Sequence, residues 1–254
     1  MPGPRRALWG GITYFTDKLL HLAAEINSEI KVAILFEPPD LLPGIYEIIK
    51  QHEDNYDLIF TYDTDLIERN PEKYKFFPAD IAAIEDPSCK MHEKTKLVSM
   101  LVSSKTQLFG HRLRHIIAKT IVPDMGYEKL DLFGPGVGNP VEYKSVACND
   151  YMFQIAIENA KRKDYFADKI LDCFITGVVP IYWGCPNIGD YFDERGILIF
   201  NTPEELKEIL TDLTEEKYHS MLKYAKKNFE VAKEEYTNSD DFLYKKVSEY
   251  LQLG

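Results

Sequence analysis

The strongest limit on the fold is the alternation of short apolar runs with amphipathic stretches. Residues 31–36 (KVAILF) read as a buried strand that ends at Glu37-Pro38-Pro39, and residues 44–52 as the helix after it. Residues 56–62 (YDLIFTY) predict a second strand and residues 76–84 a third. A polar, proline-bearing stretch at 85–94 then reads as a linker, and beyond it the pattern restarts. Strands are expected at 96–103, 130–133, 151–157, 178–184 and 196–200, with helices over 110–121 and 164–176. The second of these helices stops at Gly177, a residue that accepts positive φ. Thr202-Pro203-Glu204-Glu205 combines a capping box with proline at the first helical position, and the remainder reads as charged helix. Such alternation is the sign of βα units around parallel strands. The expected architecture is α/β: two small halves, residues 1–92 and 93–254, flanking a cleft.

Charge narrows the partners. Against 30 Lys and Arg stand 41 Asp and Glu, a net charge of −11 over 254 residues. A general nucleic-acid binder needs net basic surface, so no nucleic-acid partner is expected. One phosphorylated ligand is compatible, because a few local cations and a helix N-terminus can hold a diphosphate. With 45% hydrophobic and 28% charged residues of both signs, the chain is too apolar for a disordered protein. Cys89, Cys148, Cys173 and Cys185 form no CxxC pair and do not read as a disulfide framework. The basic start meets Gly10 and Gly11 before any unbroken apolar region, so no signal peptide is expected. No apolar run approaches the ~20 residues of a membrane helix. These observations predict a cytoplasmic protein without a membrane span.

The segment richest in chemistry runs from Phe153 to Ile170 as strand, polar turn and helix start. Ligands of parallel sheets bind beyond the carboxyl ends of strands, where such turns lie. Tyr165, Asp168 and Lys169 stand at i, i+3 and i+4, which on a helix places them on one face. A lysine near unpaired helix N–H groups makes an anion site, and a neighbouring carboxylate suits sugar hydroxyls. Ordinary surface residues on an amphipathic helix would show the same spacing.

The sequence from Phe153 through Glu158-Asn159, then Asp164-Tyr165-x-x-Asp168-Lys169, then Gly177-Val178-Val179-Pro180-Ile181-Tyr182-Trp183-Gly184 resembles the family 10 glycosyltransferases. These are the α-1,3/1,4-fucosyltransferases, whose pattern runs F-x-x-x-x-E-N, then Y-x-x-E-K, then G-x-x-P-V/I-x-W/Y-G. The resemblance covers residues 95–200 and extends weakly to Glu37 and residues 57–66. It implies a GT-B fold: two Rossmann-like parallel-sheet domains flanking a cleft, here with a reduced N-terminal domain. It further implies inverting transfer from GDP-fucose to a glycan acceptor, without a metal or other cofactor. By position Tyr165, Asp168 and Lys169 match the family's donor-binding Tyr, Glu and Lys, and Glu158 and Asn159 its Glu-Asn pair. The diphosphate arginine falls at Arg112 by spacing from Ser103, with Arg114 as competitor. Glu37 matches the catalytic glutamate of the first domain, a general base for the acceptor hydroxyl. Asp168 is one methylene shorter than the family's glutamate. That departure keeps a transferase for another nucleotide sugar open, and the short stretch before the linker, lean for an acceptor domain, keeps open a degenerate sugar-nucleotide or glycan binding protein without turnover.

Other features carry less. His111 and His115 have metal-ligand spacing, but no third ligand is near in sequence, so packed or phosphate-facing histidines are expected. Gly134-Pro135-Gly136-Val137-Gly138 lacks dinucleotide-loop spacing and reads as a turn that lets the donor approach the backbone. Lys161-Arg162-Lys163 is expected as a solvated loop; attraction of the donor phosphates is the minority reading. Tyr182 and Asn187 are expected near the nucleotide pocket.

Overall fold

The computed structural model describes residues 11–84, 88–126, 128–237 and 240–253, with side chains omitted at 240–242. Residues 85–87 of the expected linker and the basic first ten residues lie outside the described residues. The chain forms two compact units: residues 1–80 with 239–254, and residues 81–238.

The first unit is built on four parallel strands in the order β1 (Ile12–Thr16), β2 (Ile30–Ile34), β3 (Leu58–Thr61), β4 (Tyr74–Phe76). Helices α1 (Pro43–Gln51) and α2 (Thr64–Arg69) connect them, together with a 3₁₀ stretch, Asp17–Ala24. Helix α2 starts where Asp63 accepts the Leu66 N–H at 3.1 Å. Phe15, Ala33, Tyr46, Ile49, Ile59 and Tyr74 lie in its core. Strand β1 was not anticipated, because glycines break the apolar run before it and Asp17-Lys18 ends it. It forms nonetheless by pairing from Ile12–Ile30 to Thr16–Ile34. The strand expected over 76–84 is confined to Tyr74–Phe76. After Phe77 the backbone donors turn elsewhere: Ala82 to the Tyr236 carbonyl, Ala83 and Ile84 to the Asp172 carboxylate.

The second unit carries five parallel strands in the order β6-β5-β7-β8-β9: β5 (Lys96–Leu101), β6 (Leu130–Phe133), β7 (Tyr151–Ile157), β8 (Val179–Trp183) and β9 (Leu198–Ile199). Strand β7 is buried along its whole length, as a central parallel strand covered on both faces must be. Helix α3 (Phe109–Ile116) widens into a π turn over Ile117–Ile121 and ends in α4 (Val122–Asp124), where one continuous helix was expected. Helix α5 (Asp168–Ile175) joins β7 to β8, and Gly177 after it has φ +75°. Helix α6 (Pro203–Thr211) is capped by the Thr202 hydroxyl, which accepts the Glu205 N–H, while Glu205 reaches back to the N–H of Asn201. Helix α7 (Glu215–Glu235) completes the unit, and α8 (Asp240–Leu251) belongs to the first.

The unit boundary thus falls at 80/81, not at 92/93. Asp172 fixes residues 83 and 84 to the second unit, and Lys94 donates to the carbonyls of Cys148, Asn149 and Thr176 at 2.7–3.1 Å. The supposed linker is therefore tied down at both ends by side-chain hydrogen bonds that composition does not reveal. No helix among the described residues is long and apolar enough to cross a membrane.

Candidate donor site

From β5 the chain passes to β6 on one flank and returns to β7 on the other. Such a reversal of strand order opens a crevice at the carboxyl ends of the strands. A cavity of about 390 Å³ occupies that position, lined by residues 101–103 at the end of β5, Gly134 and Pro135 after β6, the end of β7, and side chains of α3 and α5.

Glycines shape its walls. Gly110 at the start of α3 donates its N–H to the Asn159 carbonyl, and a Cβ there would lie 1.8 Å from the Glu158 carbonyl oxygen. Only glycine lets α3 approach β7 this closely. Gly134 has φ +104°, and a Cβ on it would meet the Val102 carbonyl at 2.4 Å. The loop glycines therefore serve close packing on the end of β5.

Close approach of α3 brings Arg114 onto the end of β7. Its guanidinium donates to the Ile157 carbonyl at 3.0 Å through Nε and to Asn159 Oδ1 at 2.9 Å. Arg114 is buried and lines the cavity, whereas Arg112 points to solvent and bonds the carbonyls of Thr106 and Gln107. The spacing argument that favoured Arg112 fails because two positions on a helix lie on different faces. His111 also lines the cavity and accepts the Leu108 N–H on Nδ1. Burial, helped by Arg114, pushes it down to about 4, so it is neutral at pH 7. Among the described residues no three His, Cys, Asp or Glu side chains are grouped to hold a metal.

At the end of β7 stands Glu158, fully buried. One oxygen accepts the N–H of Ala167 at 3.0 Å, capping α5 in place of an alanine that cannot. The other lies 3.7 Å from Lys169 Nζ and has no hydrogen-bond partner among the described residues. Burial raises its proton affinity, opposed by Lys169. Lys169 bonds Asp168 Oδ1 at 2.7 Å, while Lys144 holds Asp168 Oδ2 and lies 3.3 Å from Asp172 Oδ2. Burial opposes charge on Asp168, but Lys169 and Lys144 outweigh it and hold the carboxyl below its usual range. Burial wins at Asp172, which is pushed up to about 6.

Helix α5 begins at Asp168, four residues later than the sequence predicts. Asp164 sits at φ +61°, held there by Asn187, whose side chain bonds both its N–H and its carboxylate. Tyr165 therefore precedes the helix, is buried, and does not line the cavity, so the shared face expected for Tyr165, Asp168 and Lys169 is not formed. Asn187 serves this turn, and Tyr182 accepts the Cys185 N–H; neither lines the cavity. Lys161, Arg162 and Lys163 also stay off its wall. The cations that do line it are Lys105, Arg114, Lys144 and Lys169. Lys144 carries no periodic signal, lying 24 residues from Asp168. Asp172, one turn beyond Asp168, was legible by spacing and missed.

Glu37 lies in the first unit, three residues past β2 and half-buried. Its N–H and that of Phe36 point at Asp17 Oδ1, at 3.4 and 3.2 Å, and its carbonyl accepts the Tyr46 hydroxyl.

Comparison with known proteins bears on the family and the fold. The family model for glycosyltransferase family 10 (fucosyltransferase), C-terminal part, matches residues 91–252. Over 73 residues, 27% of this chain, it is 40% identical to alpha-(1,3)-fucosyltransferase B of Drosophila melanogaster, a stretch that is 16% of that protein. Over 88 residues, 32% of this chain, it is 34% identical to GDP-fucose protein O-fucosyltransferase 3 of Gallus gallus, 18% of that protein. Each match thus spans less than a fifth of the relative's length. A solved alpha1,3-fucosyltransferase with GDP superposes over 99% of this chain and 92% of its own, with a TM-score of 0.57 and 13% identity. That likeness concerns the fold, which is GT-B.

Proposed function

Because the chain belongs to glycosyltransferase family 10, we propose that it transfers fucose from GDP-fucose to a hydroxyl of a glycan acceptor, inverting the anomeric carbon. The observation that carries this reading is the convergence of Arg114 and Lys169 on one cavity at the strand reversal of the second unit. A diphosphate there meets fixed positive charge, and the adjoining carboxylate of Asp168 can accept from ribose or sugar hydroxyls. The relatives named for GDP-fucose, and the solved neighbour named with GDP, support the choice of nucleotide.

Transfer with inversion requires the acceptor oxygen to attack C1 as the bond from C1 to the diphosphate oxygen breaks. The sugar gains oxocarbenium character, as in glycoside hydrolysis. Negative charge grows on the departing diphosphate, where Arg114 and Lys169 would stabilise it by preorganised electrostatics. The proton of the acceptor hydroxyl would pass to the carboxylate of Glu37, a step worth ~10²–10⁴-fold. With cations of the chain in place, the reaction is proposed to need no metal; unchanged rates in EDTA are expected, and loss of rate restored by Mn²⁺ would contradict this.

The primary test is release of GDP from GDP-fucose, with and without oligosaccharide acceptors. Acceptor-dependent release is expected; tight GDP binding without release under any acceptor would replace the enzyme with a binding protein. One observation favours a second donor: the shorter carboxylate of Asp168, engaged by two lysines, stands where the family has glutamate. A thermal-shift panel of GDP-, UDP- and dTDP-sugars separates the two.

A further inference from the structure

Lys144 is the cavity's least expected wall residue. It comes from the turn before β7, whereas Asp168 and Asp172 stand one turn apart on α5. Its ammonium bonds Asp168 Oδ2 and lies 3.3 Å from Asp172 Oδ2. Asp172 is buried and Asp168 half-buried, with side chains 4% and 15% exposed, while Lys144 is 39% exposed on the cavity wall. A lysine serving the packing alone would not need to line the cavity. Each oxygen of Asp168 is held by a different lysine, Oδ1 by Lys169 and Oδ2 by Lys144, so the carboxylate cannot rotate without breaking an ion pair. Charge gives Lys144 a second consequence. The cavity gathers Lys105, Arg114, Lys144 and Lys169 against Asp168 and Asp172, with Glu158 directly behind Lys169. Without Lys144 the excess of cations over these carboxylates shrinks by one charge, and a dianion meets a weaker attraction.

We propose that Lys144 is a positioning residue of the donor site, one that locks Asp168 and offsets Asp172 so that the cavity accepts a nucleoside diphosphate. The inference rests on the donor reading above and adds a residue to it. Asp172 opposes the same event: its Oδ2 competes for Lys144, while its Oδ1 is committed to the N–H groups of Ala83 and Ile84. An asparagine at 172 keeps that Oδ1 acceptor and removes the charge.

The test is calorimetry of the full chain with GDP and with guanosine. Lys144→Met should weaken GDP at least ~10-fold, the effect of losing one nearby charge in a partly buried site. Guanosine affinity should stay within about twofold, since the nucleoside carries no charge to attract. Lys144→Arg should recover most of the loss, and Asp172→Asn in the Met background should recover it again by rebalancing charge. Asp172→Asn alone, which retains both backbone bonds, should tighten GDP roughly threefold. This last variant decides the matter should Lys144→Met fail to fold: unchanged or weaker GDP binding overturns the proposal. Equal loss of GDP and guanosine in Lys144→Met, or no loss, also overturns it. If the parent chain binds no GDP, the donor reading falls and the proposal with it; if the parent binds GDP and the variants do not differ, only the proposal falls.

Discussion

The carboxylate of Glu158 lies 3.7 Å from the ammonium of Lys169, with the acid fully buried and the base at the cavity wall. The same carboxylate caps α5 through the Ala167 N–H. One acid therefore sets both where the helix begins and which way its lysine points. That coupling ties the stability of α5 to the proposed donor site at a single position.

Lys169→Ala should consequently do two things. GDP binding should be lost by calorimetry, and retained affinity would remove Lys169 from the site. The fold should also suffer, because removing one partner of a buried pair costs about 3–5 kcal/mol. Burial raises the proton affinity of Glu158 and Lys169 lowers it, so the variant binds that proton still more tightly when folded. Its stability deficit should therefore grow as pH rises above the carboxylate range. Urea denaturation should show a larger loss at pH 8 than at pH 5; equal losses would show that Glu158 does not depend on Lys169.

The two arginines of α3 should behave oppositely. Arg112 faces solvent, so Arg112→Ala should change GDP affinity by no more than about twofold, as for an exposed, screened charge. Arg114→Lys should weaken it at least ~10-fold, because an ammonium cannot reproduce the planar fork that bonds Ile157 and Asn159. Reversed effects would restore the arginine favoured by spacing.

Gly110→Ala should be severe for an unobtrusive change. The added methyl would meet the Glu158 carbonyl at 1.8 Å and force α3 off the end of β7. A loss of roughly 3 kcal/mol is expected, at the upper end of overpacking penalties. The melting temperature reports it, and a melt like the parent's would mean α3 has room to shift.

For Asp17, burial is the main reason its carboxyl is raised to about 6, against the N–H groups of Glu37 and Phe36 that favour its ionised form. A folded-state pKa above the unfolded one contributes stability that is full below about 4 and lost as pH rises through 6. Asp17→Asn preserves the acceptor and tolerates the residue's φ of +26°. It should stabilise the chain by about 1–2 kcal/mol at pH 7.5 and not at pH 4. A gain of the same size at both pH values would dismiss ionisation as the cause.

Glu37→Gln should leave GDP affinity unchanged while lowering transfer at least ~100-fold, within the usual range for a general base. Undiminished turnover would assign the proton to another group.

Much of the framework was legible in the chain itself. Apolar runs marked β2, β3 and every strand of the second unit, most plainly β7 and β8, which are buried along their whole length. Gly177 and the Thr202 cap ended and began helices where local chemistry requires, and the Glu-Asn pair marked the end of β7. These features act within a few residues of where they are written.

What tertiary structure alone decided acts at longer range. Asn187, 23 residues away, holds Asp164 left-handed and so delays α5 by four residues, which takes Tyr165 off the helix. The close approach at Gly110 brings Arg114, not Arg112, to the cavity wall, and strand order carries Lys144 to carboxylates 24 and 28 residues beyond it. Periodicity records which face of an element is apolar. It cannot record which charges from different elements meet beyond the ends of a sheet, because that is set by the order in which the strands pair.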